Sequence, residues 1–503
     1  MILSTAEVSK LWDEWVAASL EPWLDARLTP TEIALRLDQD YHSDGAFCFF
    51  QIDNGVVQID ADMATERPYL LDLGHTMGLR AHFFLALLRD AVRLFGIRGS
   101  ARICIFVADE YVTDLRGPVF FFQKPMGGRA PLLPDIDLII LGYCADSDGR
   151  FGDRISWEDK RQHAIFVGST TGSAPLTSRH VHERTNARIR AATFFQGRDD
   201  VTFELPNICQ EDSEETRNLI ESLNIGGPHR SWAEQQQSRY QISIDGNGAT
   251  CARVAITLHS NSVLMKYYSN NILYYFDGMK PWRHYIPIVN DLNILRTLED
   301  AQRFEEMHRD IAKRSRIFAQ QMLTRHAILA YTARLLQSYI NAFGTNGGEL
   351  GNPHERPFID SRTHLQGLGD HYADFGCWNG SDGRAIEGFA LIPANGIIAD
   401  QLRYAAIAED GREFHVERGG VYCGTRGASL SLRGLTAQMY GGPEEKYALT
   451  VSERFADGFE RVTAGGSPLV AHSAPLVSFR IDLEPFPQRE KKWRWFGRGS
   501  QGK

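Results

Sequence analysis

The sequence predicts an α/β fold in which two doubly wound domains face each other across a cleft, followed by a C-terminal all-β sandwich. Three observations carry this. The chain has 503 residues, and at ~150 residues per domain that length suggests roughly three domains. Short, almost continuous apolar runs occur in two series with helix-like stretches between them, the texture of parallel strands buried on both faces. After a Gly- and Pro-rich break the texture changes to short alternating runs.

Residues 6–27 read as a helix carrying Trp12, Trp15 and Trp23. FCFFQIDNGVVQID (47–60) reads as two strands around Asp53-Asn54-Gly55, a strong hairpin signal. GLRAHFFLALLRDAVRLFG (78–96) is a helix with a wide apolar face, stopped by Gly96. ARICIFVAD (101–109), PVFFFQK (118–124) and DLIILGY (137–143) form the first series of buried strands. HAIFVGS (163–169), YQISIDG (240–246) and SVLMKYY (262–268) form the second. Residues 297–343 are expected to be helical, with Thr297 as N-cap and Asp300 three positions on. GTNGGELGNPHERP (344–357) reads as a linker. Runs such as GVYCGTRGASLSLRG and APLVSFRIDL then give 358–488 its β texture. The boundaries expected are 1–155, 156–345, a linker at 346–357, 358–488, and a basic aromatic tail at 489–503.

Composition narrows the class. Apolar residues make up 43% and charged residues 23%, the balance of a soluble globular protein. No apolar run is long enough to span a membrane. The N-terminal MILSTAEVSKLWDEWV carries acidic residues where an export signal has its apolar core. The net charge of −9 argues against nucleic acid as a partner. Seven widely spaced cysteines without a CxxC fit a reduced, cytoplasmic chain and speak against a zinc site.

Several motifs carry little. GxxxxGK at Gly497 to Lys503 has no helix after it to bind phosphate. DxD occurs at Asp60/Asp62, Asp135/Asp137 and Asp146/Asp148, as chance allows in an acidic chain. The tail Lys491-Lys492-Trp493-Arg494-Trp495-Phe496 combines charges that attract an anionic membrane with aromatics that sit at its interface, or it is a solubilising end.

KRQHAIFVGSTTG (160–172) is more informative. A buried strand runs into Gly168-Ser169-Thr170-Thr171-Gly172, small residues that let backbone N–H groups and hydroxyls reach a phosphate. Downstream, residues 240–288 hold a strand, an Asp245-Gly246 turn, a helix with Arg253, a strand ending at Lys266, and Pro281-Trp282-Arg283-His284-Tyr285. A cleft lined by Arg253, Lys266 and Arg283 would neutralise a diphosphate without a metal.

The order strand–GS–T, YxIxIDG…R, SVLxK and KPWxHYIP resembles the family 90 glycosyltransferases, which include protein O-glucosyltransferases, fungal capsule xylosyltransferases and bacterial lipopolysaccharide glycosyltransferases. The resemblance is strongest over 160–325. It implies a GT-B fold of two Rossmann-like domains, a UDP-sugar donor, inversion at the anomeric carbon, and neither a DxD metal nor a cofactor. It places the catalytic aspartate, which in the family follows a strand as the D of R-D-Y, at Asp109 in VADEY, with Ala108 replacing the arginine. Glu110 is the alternative base. FRGSRT becomes FVGSTT, which keeps Gly168, Ser169 and Thr171 but loses two arginines to Val167 and Thr170. Arg253 is kept, and Lys280 through Pro287 match well.

The donor site expected is therefore Gly168, Ser169, Thr171, Asp245, Gly246, Arg253, Lys266, Trp282 and Tyr285, with Asp109 as general base. The function expected is transfer of glucose or xylose from a UDP-sugar to a hydroxyl of a lipopolysaccharide or capsule acceptor, glycan or lipid-linked. A protein O-glycosyltransferase acting on Ser or Thr and a non-catalytic glycan-binding protein are the alternatives. The β-sandwich reads either as an acceptor-glycan module or as a scaffold.

Overall fold

The computed structural model describes residues 4–24, 28–41, 46–60, 67–71, 75–109, 111–140, 153, 155–249, 251–350, 358–373, 376–381, 383–394, 397 and 399–486. The chain divides into two compact units, Met1–Glu355 and Arg356–Lys503.

The first unit opens with helices α1 (Thr5–Leu24) and α2 (Pro30–Tyr41), then the hairpin β1 (Phe47–Asp53) and β2 (Val56–Ile59). Asn54 at φ 44° and Gly55 at φ 93° make the turn, the left-handed pair that a two-residue hairpin demands. Helix α3 (Thr76–Phe95) ends on Gly96 in the left-handed conformation, whose N–H caps the Val92 carbonyl. Strand β3 (Ser100–Phe106) returns antiparallel to β1, giving the sheet order β2-β1-β3.

Of the parallel arrangement expected in this part of the chain, the described residues show only the isolated parallel bridges Ile105–Phe120 and Phe121–Leu132, while β1, β2 and β3 pair antiparallel. Residues 118–124 run beside the end of β3 as isolated bridges, with Phe106 N–H on the Phe120 carbonyl at 2.9 Å. They lead to the two-residue β4 (Lys124–Pro125). Of the apolar run expected as a strand at 137–143, the part up to Ile140 forms helix α4 (Ile136–Ile140), and 141–143 lie outside the described residues. Asp135 decides this, because its Oδ1 accepts the Leu138 N–H at 3.0 Å and caps the turn. A short apolar run without periodicity fits either structure until such a cap is recognised.

The second half of the unit is the parallel sheet. It comprises β5 (Arg161–Ser169), the short helix α5 (Ser178–His182), α6 (Ala187–Phe195), β6 (Val201–Asn207), α7 (Glu214–Ser222) and the four-residue α8 (Trp232–Gln235). After these come β7 (Ser238–Ser243), α9 (Cys251–His259), β8 (Val263–Tyr267), the two-residue β9 (Asn271–Ile272) and β10 (Ile286–Ile288). The strand order is β10-β8-β7-β5-β6, all neighbours parallel. Phe166, Tyr240, Ile242, Met265 and Ile286 are buried in its core. The chain goes from β5 outward to β6, then crosses back to β7 on the other side. Order therefore reverses between β5 and β7, and such a switch point opens a crevice at the carboxyl ends of the strands.

Three helices follow, α10 (Asp291–Glu299), α11 (Glu305–Met322) and α12 (Arg325–Phe343), where a helical stretch beginning at Thr297 was expected. The N-cap is Asn290, whose side chain accepts the Asn293 N–H, and Thr297 lies inside α10 with its hydroxyl donating to the Asn293 carbonyl at 2.8 Å. Helix α12 is buried along most of its length. Tyr331 donates to the Leu132 carbonyl at 2.8 Å, and its ring stacks on Tyr274 at 4.6 Å, tying both halves of the unit together. The expected linker begins later than Gly344, because Thr345 still pairs with Ser100 by two backbone bonds of 2.8 and 2.9 Å. Residues 351–357 lie outside the described residues.

The second unit is all antiparallel β. Its strands are β11 (Phe358–Leu365), β12 (Gly369–Ala373), β13 (Asn379–Gly380), β14 (Ile386–Ala394), β15 (Leu402–Ala408), β16 (Glu413–Val416), β17 (Cys423–Gly424), β18 (Leu432–Met439), β19 (Tyr447–Phe455), β20 (Glu460–Ala464) and β21 (Leu476–Pro485). They form sheets of order β12-β11-β14-β17, β13-β21-β19-β20 and β16-β15-β18. Phe389, Tyr404, Leu435, Val451 and Phe479 bring the three sheets onto one apolar core. The basic aromatic tail, with its GxxxxGK, lies outside the described residues.

Candidate active site

The crevice at the switch point opens into a cavity of about 390 Å³. Its wall takes Gly168, Ser169 and Thr171 from the end of β5, Asn207 from the end of β6, Gly246–Ala249 from the turn after β7, and Arg253 from α9. Arg80, Asp109, Phe122, Gln123 and Asp137 line it from the N-terminal half of the unit.

Close packing explains the glycines. A Cβ on Gly168 would meet the Phe166 ring at 2.8 Å, and one on Gly246 would meet Thr171 Oγ1 at 2.5 Å. The two turns therefore lie against each other. Asn186, fully buried as the N-cap of α6, pins them by donating to the Thr170 carbonyl at 3.0 Å while accepting the Arg188 and Ile189 N–H groups.

Two arginines sit under the turns. Arg253 donates from Nη1 to Gln235 Oε1 at 3.0 Å and from Nη2 to the Val167 carbonyl at 2.6 Å. Its guanidinium lies over the Phe166 and Trp232 rings, 4.5 and 5.0 Å from their centroids. Its Nε is buried with no hydrogen-bond partner. Arg188 donates to Thr171 Oγ1 at 2.7 Å, to the Ser169 carbonyl at 3.1 Å, and to the Asp245 and Ile244 carbonyls at 3.1 and 3.2 Å. Burial pushes Arg253 down to about 9, with repulsion from Arg188 second, and burial pushes Arg188 down to about 10. Neither forms an ion pair among the described residues. Burying a charge without a counter-ion costs several kcal/mol, which the bonds from these guanidinium groups to backbone carbonyls, Thr171 Oγ1 and Gln235 Oε1 offset in part.

The sequence reading missed Arg188. The signal was the loss of two arginines from the strand-end turn, because a cation missing from one element has to be supplied from another. Arg188 supplies it from α6, reaching both Ser169 and Thr171.

The opposite wall is acidic. Arg80 Nη2 pairs with Asp109 Oδ1 at 2.9 Å while its Nη1 donates to the Val107 carbonyl at 2.8 Å. Gln123 bridges the crevice, its Nε2 donating to the Asp109 carbonyl at 2.7 Å and its Oε1 accepting the Ala249 N–H at 2.9 Å. Asp137 accepts the Ala252 N–H at 3.1 Å, and burial, with the Asp109 charge as a lesser cause, raises its carboxyl. Asp135 is buried and pushed up to about 8. As for the remaining DxD pairs, Asp60 is held by Arg102 at 3.0 Å, and Asp62, Asp146 and Asp148 lie outside the described residues, as does Glu110. Among the described residues no three His, Cys, Asp or Glu side chains converge on a metal-sized site.

The structure thus brings Asp109, Gly168, Ser169, Thr171, Gly246 and Arg253 onto one cavity and leaves five expected residues, Asp245, Lys266, Trp282, Arg283 and Tyr285, off its wall. Asp245 turns its carboxylate toward Ser269 Oγ (2.5 Å) and Asn271 Nδ2 (3.2 Å), and only its carbonyl meets Arg188. Lys266 is buried in the sheet, its ammonium 4.8 Å from the Phe276 ring centroid. Trp282 is 51% exposed and adopts φ 60° in a turn closed by its N–H on the Tyr285 carbonyl. Tyr285 flanks β10, and Arg283 is exposed. The turn is organised by His284, which accepts the Lys280 N–H at 3.1 Å and stacks on Phe318. Aromatic residues after the proline serve this turn rather than the cavity.

A parallel α/β sheet with a crevice at its switch point is the setting in which open α/β proteins bind ligands. Residues 150–347 match the model of glycosyl transferase family 90, so the resemblance carried by FVGSTT and KPWRHYIP holds over the parallel sheet and its following helices. Protein O-glucosyltransferase 3 of Homo sapiens is 28% identical over 102 residues, 20% of each chain. Protein O-glucosyltransferase 2 of Danio rerio is 30% identical over 112 residues, 22% of each chain. The match thus spans about a fifth of the length of each of these relatives.

Proposed function

We propose that this protein is an inverting, metal-independent glycosyltransferase that takes glucose or xylose from a UDP-sugar. The observation that carries the reading is the single cavity holding two unpaired buried guanidinium groups on one side and the Asp109 carboxylate on the other. Single displacement at the sugar's C1 needs a base on the face opposite the leaving diphosphate. Arg188, Arg253 and the Ser169 and Thr171 hydroxyls hold the diphosphate. Arg80 anchors one oxygen of Asp109, leaving the other to take the proton of the incoming hydroxyl. The GT-B reading then takes a modified form, with one parallel donor sheet faced by an antiparallel acceptor-side lobe.

The acceptor we favour is a hydroxyl of a surface glycan, lipopolysaccharide or capsule, met by a cytoplasmic enzyme. The cysteines support this compartment, as Cys48, Cys104, Cys209, Cys377 and Cys423 are free thiols. Peripheral membrane contact would fall to the tail; among the described residues no helix is long and apolar enough to cross a membrane. The second reading, transfer to Ser or Thr of a protein, is favoured by the names of the matched relatives.

The test is a panel of UDP-sugars screened for thermal stabilisation and UDP release. Asp109→Asn is expected to abolish turnover and leave the Kd for UDP within about three-fold, as for a group that acts only on the reacting proton. Retained turnover in that variant would remove Asp109 from the mechanism.

A further inference from the structure

Three aromatic rings line the cavity, and they differ in what they can offer. Phe166 is 1% exposed and lies beneath both guanidinium groups, 4.5 Å from Arg253 and 5.2 Å from Arg188. Phe122 is 3% exposed and stacks on Phe84 on the acidic side. Trp232 alone of the three is half-buried, with indole surface left in the cavity.

Its mounting is rigid. Trp232 opens helix α8, whose N-cap Ser231 and Glu234 bond reciprocally in a capping box. On the same helix, buried Gln235 accepts from Arg253 Nη1 and donates to the Arg230 carbonyl at 3.0 Å. The indole is therefore fixed beside a phosphate-binding cation, 5.0 Å from ring centroid to guanidinium carbon. One face of the indole carries the Arg253 guanidinium, and the part of the ring that lines the cavity is left for a flat partner beside that cation, as a base lies beside the phosphates of a nucleoside diphosphate. Aromatic side chains take bases by stacking, whatever the base.

We propose that Trp232 is the platform on which the base of the donor nucleotide stacks, so that the cavity binds a nucleoside diphosphate and discriminates it from a bare diphosphate. This rests on the donor reading above and extends it from the phosphates to the base.

The test is isothermal titration calorimetry of the full chain with UDP and, separately, with inorganic pyrophosphate. Wild type is expected to bind both, UDP more tightly. Trp232→Ala is expected to weaken UDP about ten-fold, the scale of one lost base–aromatic stack, and to leave pyrophosphate within about two-fold. Trp232→Phe is expected to keep most of the UDP affinity. Unchanged UDP affinity in Trp232→Ala would overturn the proposal. Equal loss of both ligands would also overturn it, by showing that the indole serves only to position Arg253. Failure of wild type to bind either ligand would instead remove the phosphate site and with it the donor reading. Pyrophosphate affinity in each variant reports an intact fold.

Discussion

Arg188 shows how one side chain serves both architecture and chemistry. Its guanidinium closes the β5 turn onto the β7 turn by bonding the Ser169, Ile244 and Asp245 carbonyls, and it still presents its charge at Thr171. A lysine would deliver the charge as a point and could not fork to these acceptors. Arg188→Lys is therefore expected to weaken UDP binding about ten-fold, the loss of one charge-assisted bond set, in a chain that still folds. Calorimetry against UDP checks this, and a wild-type Kd would confine Arg188 to the fold. The strand-end glycine and hydroxyls were legible because composition at that position is restricted by close approach. Arg188 was not, because a cation delivered from a separate helix leaves no local pattern. Lys266 misled for the related reason that a strand residue faces the cavity or the sheet depending on one step of register, and here it is buried beside Phe276.

At the level of elements, the crevice is spanned by Gln123, and the turn after β7 is shaped to receive it. A Cβ on Gly248 would lie 2.1 Å from the Gln123 amide. Gly248→Ala is expected to destabilise the chain by about 1–3 kcal/mol, as overpacking does, and to lower UDP release by loosening Asp109. Urea unfolding measures the first effect. The cost should shrink in a Gln123→Ala background, since neighbours that clash do not add. The KPWRHYIP turn makes a different prediction. Burial, with the Arg283, Lys280 and Arg314 charges, lowers His284 from 6.5 to about 4. Above pH 6.5 the ring is neutral in both folded and unfolded chains. As the pH falls toward 4 the unfolded chain takes up a proton that the folded one refuses, so stability drops over that window. His284→Gln should flatten this acid slope between pH 6.5 and about 4, and an unchanged slope would show that the ring is protonated in place. The motif was legible as a family mark, yet its role was not. Its aromatics read as pocket lining, whereas Trp282 holds a left-handed turn and His284 packs on Phe318. Helices told a similar story. Gly96 marked one end by its φ preference, while the apolar run after Asp135 carried no period to tell helix from strand.

For the molecule as a whole, the change of texture after residue 344 reflects two separate cores. Phe166, Tyr240 and Met265 belong to the parallel sheet, and Phe389, Leu435 and Phe479 to the β unit. The all-β half was legible because alternating runs and glycine turns have no helical competitor. The N-terminal half was read as a wholly parallel domain because its strands are buried on both faces like parallel ones, with Phe49 and Ile103 inaccessible to solvent, whereas β1–β3 pair antiparallel and only isolated bridges beyond β3 are parallel. Two cores predict two folding units. A chain cut within 351–355 should give an N-terminal piece that keeps the whole cavity, since every residue lining it lies between Arg80 and Arg253. That piece should retain the Thr345–Ser100 pairing and bind UDP within about three-fold of the full chain, as expected when no binding group is removed. The remaining β piece should unfold in its own cooperative transition. Calorimetric melting of the two pieces and of the full chain, with and without UDP, decides the matter. UDP should shift one transition and leave the other in place, because a ligand stabilises only the unit whose folded state binds it. If the N-terminal piece bound no UDP, the cavity would depend on the β unit for its form. The two cores would then act as one rather than as a cavity-bearing unit with a separable companion.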